Sequence, residues 1–303
     1  MNCRSCKNLV LLGFLLLSTA AMAQDAASPS ILEHIPSFLN SGEYLAEETY
    51  VSDADVRRSN RKISFDESDT ILRFVATPRT KFGVLRLGLE WERFAFGFPS
   101  RTPLPNGLQE LSAVIGLDMQ LSDSILVRVE TQPGFYGTSN FDSDQINAPF
   151  IAGGTYIYNP NVQFVLGVSV DVEREYPVIP AAGLRWKLSR QWVLNAVMPT
   201  PRLEYEATKK VTLYIGANIK QTNFRVDDDF GATHGNRRLN HAVLTYSELR
   251  GGVGVNWKIS SVVTLTAEAG YQPYRSFDFY RADVRFHEDG SAPYGMLSLH
   301  GAF

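Results

Sequence analysis

The sequence predicts an all-β protein, a transmembrane antiparallel up-and-down β-barrel of about 14 strands. Three observations lead to this prediction: an export signal at the amino terminus, alternation of apolar and polar residues along most of the remaining chain, and a final segment that alternates and ends on Phe303. An exported chain that enters a second membrane without a long apolar helix must pair all its backbone groups, and a closed barrel does so. We therefore expect it in the outer membrane of a Gram-negative bacterium.

Residues 1–23 have the features of a signal peptide. Arg4 and Lys7 form a basic start, an apolar run follows, and Ala21 and Ala23 supply the small residues read by signal peptidase. The apolar run is shorter than the roughly 20 residues that a membrane helix needs. We expect cleavage near Ala23.

Both cysteines of the chain, Cys3 and Cys6, lie within this signal. The mature chain then has no cysteine, which excludes disulfides and thiol chemistry. The acidic excess, 32 acidic against 29 basic side chains, gives no reason to expect nucleic acid as a partner. We expect residues 24–42 to form a flexible periplasmic segment and residues 43–303 to form the barrel.

Alternation with a period of two indicates strands with one apolar face. In residues 85–92, leucines and a tryptophan occupy odd positions, while charged residues and a glycine occupy even ones; residues 211–220 show a second clear example. A soluble β-sandwich would show the same pattern. The patterned runs reach about 10 residues, as tilted membrane strands do, whereas soluble strands usually have about 5–6. The length favours the barrel.

Connections alternate between two kinds, which sets the strand count. Short periplasmic turns and long external loops are the rule in such barrels. Strict alternation requires a first strand near residues 44–52 and a break at Pro199-Thr200-Pro201, because proline does not donate to a central ladder. The count is then about 14. Reading residues 192–207 as one strand and omitting the first gives about 12.

Several motifs resemble those of an uncharacterised family of outer-membrane barrels, a domain of unknown function. The family pattern "P-x-x-G-L-R-W" matches residues 180–186, "P-x-P-R-x-x-Y" matches residues 199–205, and "L-Y-x-G-A" matches residues 213–217. Residues 246–254 and 269–271 are similar to its closing strands. The resemblance implies a barrel and brings no activity, ligand or site.

The polar faces of the strands supply the residues expected to line the lumen. They carry both signs of charge: Arg86, Glu90, Glu92, Arg128, Glu130, Asp171, Arg185, Lys187, Arg202, Glu204, Glu206, Lys220, Glu248, Arg250, Lys258 and Glu268. A selective pore usually has a ring of one sign. Mixed charge indicates ion pairs that stiffen the barrel, or a weakly selective channel, since about 14 strands could leave a narrow aqueous path.

The final strand is expected to act as the signal for the barrel-assembly machinery. Leu297, Leu299 and Phe303 occupy the alternate apolar or aromatic positions of such a signal. Gly301 departs from it, because a bulkier residue is expected there. Outer-membrane lipid and the assembly machinery are the expected partners.

Two loops contain residues that could hold a cation. Asp227, Asp228 and Asp229 are followed by His234, and His287, Glu288 and Asp289 form a second group. Neither has the spacing of a known calcium loop, so solvated loops are the preferred interpretation. We expect no bound metal and no cofactor.

A hydrolytic or lipid-modifying enzyme is one alternative function. Its serine would need a histidine base, and Ser298 with His300 share a face two residues apart, while Ser247, His241 and His287 are weaker candidates. None of the common hydrolase motifs is present. A soluble periplasmic binding protein is another alternative. The preferred function is a passive channel for small solutes or a structural envelope barrel, and not an enzyme.

Overall fold

The computed structural model describes residues 41–58, 61–99, 102–138, 141–288 and 290–303. These residues form a single closed antiparallel sheet with very little helix. The predicted signal peptide and nearly all of the predicted amino-terminal segment lie outside them. The all-β barrel prediction is confirmed, and the sandwich alternative is wrong because one sheet closes on itself.

The sheet contains eighteen segments, which make fourteen barrel strands. Three strands are each built from two consecutive segments (β6 with β7, β8 with β9, β17 with β18), and β3 is a two-residue piece of a turn. The segments are β1 Gly42–Arg58, β2 Arg61–Ala76, β3 Arg79–Thr80, β4 Gly83–Phe96, β5 Gly107–Ser122, β6 Ile125–Thr131, β7 Gly134–Gly137, β8 Ile146–Asn147, β9 Phe150–Asn159, β10 Val162–Val170, β11 Val178–Lys187, β12 Trp192–Val197, β13 Arg202–Glu206, β14 Val211–Arg225, β15 Val243–Lys258, β16 Val263–Phe279, β17 Val284–Glu288 and β18 Ala292–Ala302. The predicted count of 14 is therefore confirmed over 12.

Helical turns occur only in the connections, among the described residues. One α-helical turn spans Phe230–Thr233, and 3₁₀ turns span Ser143–Gln145, Arg237–Leu239 and Tyr280–Ala282. No helix of the described chain is long and apolar enough to cross a membrane.

The two ends of the barrel differ. The start of β1, the end of β18 and the tight turns lie at one end, called here the short-turn end; the longer connections lie at the other, the long-loop end. β1 pairs with β18, with Tyr44 opposite Gly301 and Val51 opposite Tyr294, and this pairing closes the sheet. The first strand is longer than predicted, because it runs on to Arg58.

An apolar belt surrounds the outside of the barrel. Its alternate side chains point away from the interior and are largely exposed, as Leu89 (63%), Leu166 (66%) and Ile215 (58%) show. Aromatic residues are frequent near the short-turn end, among them Tyr158, Trp186, Trp192, Trp257 and Phe303. Such a belt with an aromatic border is typical of barrels that face lipid.

Strand length varies strongly around the wall. β1, β2, β4, β5, β14, β15 and β16 have 14 to 17 residues, whereas β9 to β13 have 5 to 10. A tilted strand needs about 9–11 residues to cross the hydrocarbon. The long strands therefore continue well past the belt at the long-loop end.

Beyond the belt the long strands close into a narrower barrel, called here the upper barrel. β1, β2, β4, β5 and β7 pair in succession, β7 meets β14 at Gly137 and Arg225, and β14 to β17 return to β1. Nine strands thus make the upper barrel. β9 to β13 end below it.

The upper barrel is filled by the aromatic cluster, a core of nineteen buried apolar residues of the described chain: Val56, Ile63, Phe65, Phe94, Phe96, Leu104, Leu108, Tyr136, Phe224, Val226, Phe230, Leu239, Ala242, Leu244, Tyr246, Phe277, Phe279, Val284 and Phe286. The rings contact one another edge to face or tilted, with centroids 5.1 Å apart for Phe96 and Phe277. Burying aromatic rings is strongly favourable. The cluster explains why strands extend beyond the length that a membrane requires.

β16 and β17 reach Phe279 and Glu288 at the long-loop end, because these strands complete the upper barrel. β10 ends at Val170, so Asp171, predicted on the polar face of a strand, lies in the following loop together with Glu173.

Candidate functional site

Arg86 is the centre of an ion-pair network on the interior face of β1 to β6. Its side chain is 3% exposed, and its guanidinium contacts Glu43 at 2.9 and 3.0 Å and Glu130 at 2.9 Å. Arg86 Nη1 also lies 3.9 Å from Asp118. Neighbouring strands supply these groups because their inward positions lie side by side on one face. The network therefore joins adjacent strands along the wall.

Two further arginines complete this network. Arg128 forms a bidentate ion pair with Asp118, with N···O distances of 2.6 and 2.9 Å. Arg73 contacts Glu130 at 2.9 Å and Glu90 at 3.2 Å. Paired guanidinium and carboxylate groups of this kind fix geometry as well as charge.

A second set of charges, called here the charge layer, crosses the interior under the aromatic cluster. Lys220 of β14 contacts Asp69 at 2.8 Å and also Glu92. Arg250 of β15 contacts the same Asp69 at 2.8 Å and pairs with Glu248. These bonds join strands from opposite sides of the upper barrel, so they fill the interior at this level.

The charge layer meets the aromatic cluster at Tyr246. The Tyr246 hydroxyl donates to Glu67 at 2.8 Å, and Arg275 contacts the same carboxylate at 2.6 Å. Sequence reasoning missed Glu67, Asp69, Glu110 and Arg275, all buried on the interior. In β2 polar residues occupy both faces, so alternation by itself did not separate Glu67 and Asp69 from the outer face.

A third group of polar side chains lies on β13 to β18. Tyr214 donates to Glu268 at 2.6 Å, Tyr294 donates to the same carboxylate, and Arg202 lies 3.8 Å from it. The Tyr214 ring covers Gly254, where an added Cβ would lie 2.3 Å from the ring. The glycine is needed here because the ring occupies the place of a side chain.

The remaining predicted lining residues lie towards the short-turn end or in a loop. Lys187, Glu206 and Lys258 are exposed, Arg185 is half-buried and Glu204 is buried. Asp171 is buried in the loop after β10, where the amides of Asn147 and Asn223 donate to it at 2.9 and 2.5 Å. Asp171 therefore connects this loop to β8 and β14.

One arc of the interior carries almost no charge. The inward positions of β9 to β12 are Ile151, Gly153, Thr155, Ile157, Gln163, Val165, Gly167, Ser169, Ile179, Ala181, Gly183, Arg185, Lys187, Val193, Asn195 and Val197. Arg185 and Lys187, both near the short-turn end, are the two charged residues of this set. The interior thus has a charged side and an uncharged side.

The loops at the long-loop end bring together one ligand-like cluster. His241 Nδ1 lies 2.9 Å from Asp144 and 2.7 Å from Asp228, and all three residues are largely exposed. The grouping differs from the one considered from sequence, because His234 stacks on Phe230 instead, with centroids 4.3 Å apart. The imidazole of His241 thus lies between the two carboxylates.

The second loop group is also dispersed. His287 is exposed on β17, whereas Glu288 has a buried side chain 3.9 Å from Arg275. Asp289 lies outside the described residues.

The serine and histidine residues considered for hydrolysis do not form a dyad in the described part of the chain. Ser298 and His300 both lie on β18 and face the barrel interior, but no hydrogen bond joins them. Ser247 is buried on β15, and His241 is engaged by the two aspartates.

The carboxy-terminal strand places its apolar residues outwards. Leu297, Leu299 and Phe303 are 56%, 37% and 49% exposed. A Cβ at Gly301 would lie 2.9 Å from the ring of Tyr44 and 2.0 Å from a backbone oxygen of Val262. The ring of Tyr44 thus covers the position where a bulkier residue was expected.

Several solved structures are similar to this chain. An outer membrane channel, COG4313, from Pseudomonas putida F1 is 12% identical, with a TM-score of 0.46, covering 91% of this chain and 99% of that chain. The toluene transporter TodX of P. putida is 9% identical, with a TM-score of 0.41, covering 89% and 91%. The NanC porin is 10% identical, with a TM-score of 0.39, covering 85% and 98%. Similarities this low identify no substrate.

No curated protein matches the chain. Residues 101–288, more than half of the chain, match the family described as "Domain of unknown function (DUF6268)". This agrees with the resemblance inferred from the motifs in residues 180–217. The chain belongs to the DUF6268 family.

Proposed function

We propose that this protein is a passive outer-membrane channel for small solutes and not an enzyme. The observation that supports this most directly is the closed barrel, with an apolar belt outside and a polar, ion-paired interior. Strands of about 10 residues with such an outer face suit the hydrocarbon of a membrane. The long loops then face outwards and the short turns face the periplasm.

The same proposal includes export and assembly. The chain loses its signal peptide near Ala23, and its final strand, with Leu297, Leu299 and Phe303, is read by the barrel-assembly machinery. Membrane lipid covers the apolar belt. No cofactor takes part.

The charges of the interior imply weak selectivity. Acidic and basic groups alternate in the ion-pair network around Arg86 instead of forming a ring of one sign. Solutes of either charge should therefore cross at similar rates.

Vesicle swelling tests the proposal. Residues 24–303, refolded into phospholipid vesicles, should admit small neutral, cationic and anionic solutes faster than vesicles without protein. Lys258→Glu, at the short-turn end of the interior, should shift preference towards cations, whereas Lys209→Glu in an exposed turn should not. Absence of solute movement in every case would contradict the proposal.

A structural envelope barrel is the second candidate, and the filled upper barrel favours it. Such a protein would leave vesicles sealed to all solutes. Its deletion would still weaken the outer membrane, measured as leakage of periplasmic protein.

A further inference from the structure

The long-loop end offers no axial exit through the described residues. The charge layer crosses the interior, and the nineteen residues of the aromatic cluster fill the upper barrel above it. Aromatic cores of this kind pack at crystal-like density. A solute that has entered from the short-turn end must therefore leave through the side of the barrel or not at all.

The side of the barrel has an opening between β11 and β14. β11 pairs with β10 from Val178 to Trp186, but with β12 only from Gly183 to Lys187. β14 pairs with β15 along its whole length, but its ladder with β13 stops at Gly216. Among the described residues, the short hairpin of β12 and β13 thus leaves residues 178–182 of β11 and residues 220–224 of β14 without a ladder partner on that side, below the point where Arg225 meets Gly137.

Two backbone bonds mark the top of the hairpin. The amides of Ala217 and Ile219 donate to the carbonyls of Pro201 and Pro199 at 3.0 and 3.1 Å. Beyond them, no ladder joins residues 178–182 of β11 to a strand on the β14 side, and none joins residues 220–224 of β14 to a strand on the β11 side.

Prolines occur at the edges of this opening. The backbone amide of Leu188, just after β11, donates to the carbonyl of Trp192 at the start of β12. Because amides alternate in direction along a strand, the even-numbered amides of β11 all point towards β12. Pro180 therefore lies where its missing N–H faces the opening. Proline is suited to such unpaired edges and to strand ends, and Pro199 and Pro201 limit the hairpin in the same way.

The loop between β10 and β11 closes the opening from above. Asp171 accepts from Asn223 at 2.5 Å, and Glu173 pairs with Arg225, so this loop is fixed to β14. The opening is thus bounded on four sides by protein. Such a frame distinguishes it from a frayed strand end.

The β11 side of the opening is apolar, whereas its upper border carries Asp171, Glu173 and Arg225. Val172, Tyr176 and Val178 at its rim are 73%, 53% and 59% exposed. Behind it lies the uncharged arc of β9 to β12, including Ile179 and Ala181. β11 has 10 residues, about the length of one membrane crossing, so its upper half lies in the membrane half nearer the long loops. Unpaired strand edges at this depth are tolerated where they line a cavity.

We propose that small apolar or amphipathic molecules move between the outer lipid leaflet and the barrel interior through this side opening. The inference rests on the proposed channel function and names its substrate class and route. Small polar solutes share this route, but apolar and amphipathic molecules gain most from it, because an apolar molecule leaves the lipid for a surface of similar character.

Cysteine labelling tests the route, because the mature chain has no cysteine of its own. Ala181→Cys places a thiol on the inward face of the unpaired part of β11. Leu166→Cys, on the outer face of the fully paired β10, is the matched control. Gln221→Cys, on the β14 edge, is an independent second variant should the first fail to fold. Each is expressed in a Gram-negative host and treated with a bulky maleimide.

The readout is the uptake rate of N-phenylnaphthylamine, an apolar probe that intact outer membranes admit slowly. Labelling at position 181 or 221 should reduce uptake to that of cells without the protein, and labelling at position 166 should leave it unchanged. Uptake that survives both labels, but rises in Phe277→Ala through an opened aromatic cluster, would overturn the side route while leaving a channel. No uptake above the empty host, together with sealed vesicles in the swelling assay, would refute the channel itself.

Discussion

Tyr246 provides the sharpest test of how the barrel interior is held together. Its ring is fully buried in the aromatic cluster, 4.8 Å from Phe94 and 5.0 Å from Phe277, while its hydroxyl donates to Glu67. Tyr246→Phe removes only the hydroxyl. A buried hydrogen bond to a charged group contributes about 1.5–3 kcal/mol, so we expect the free energy of unfolding to fall by that amount.

Comparison with a larger truncation separates the ring from the hydroxyl. Tyr246→Ala also removes the ring contacts, and truncation of a buried aromatic residue costs about 3–5 kcal/mol. Urea unfolding of the refolded barrel, followed by the fluorescence of its four tryptophans, measures both changes. Tyr158→Phe, 66% exposed on the outer face, is the matched control and should leave stability unchanged. A loss below about 0.5 kcal/mol for Tyr246→Phe would show that the hydroxyl bond does not stabilise the barrel.

Two further substitutions test the wall of the barrel by the same unfolding assay. Arg86→Met leaves several interior carboxylates without their partner and should lower the free energy of unfolding by about 3–5 kcal/mol. The control Arg285→Met, which breaks an exposed pair, should lower it by less than about 1 kcal/mol. Equal losses would contradict a special role for the buried network.

Gly254→Val should displace the ring of Tyr214 and lower the free energy of unfolding by about 1–3 kcal/mol. Its control Gly295→Val, with no atom within 4 Å of an added Cβ, should leave it unchanged. A tolerated Gly254→Val would show that the ring has room to move.

The sequence by itself determined the barrel and its strand count. Alternation along residues 85–92 and 211–220 assigned faces correctly, because a strand must turn successive side chains to opposite sides. Pro199 and Pro201 indicated the break that separates β12 from β13, because proline removes a ladder donor. These features act locally, so they are visible in the chain without knowledge of its neighbours.

Only the tertiary structure decided what the interior contains. Glu67 and Arg275 are 208 positions apart in the chain and meet across the upper barrel, and no local pattern encodes such a distance. The pairing of Gly137 with Arg225 narrows the upper barrel, while the unequal ladders of β11 and β14 leave the side opening. Strand register and barrel closure are properties of the whole sheet. They decide where charges pair and where the wall is incomplete, because each depends on strands that the chain brings together only when it folds.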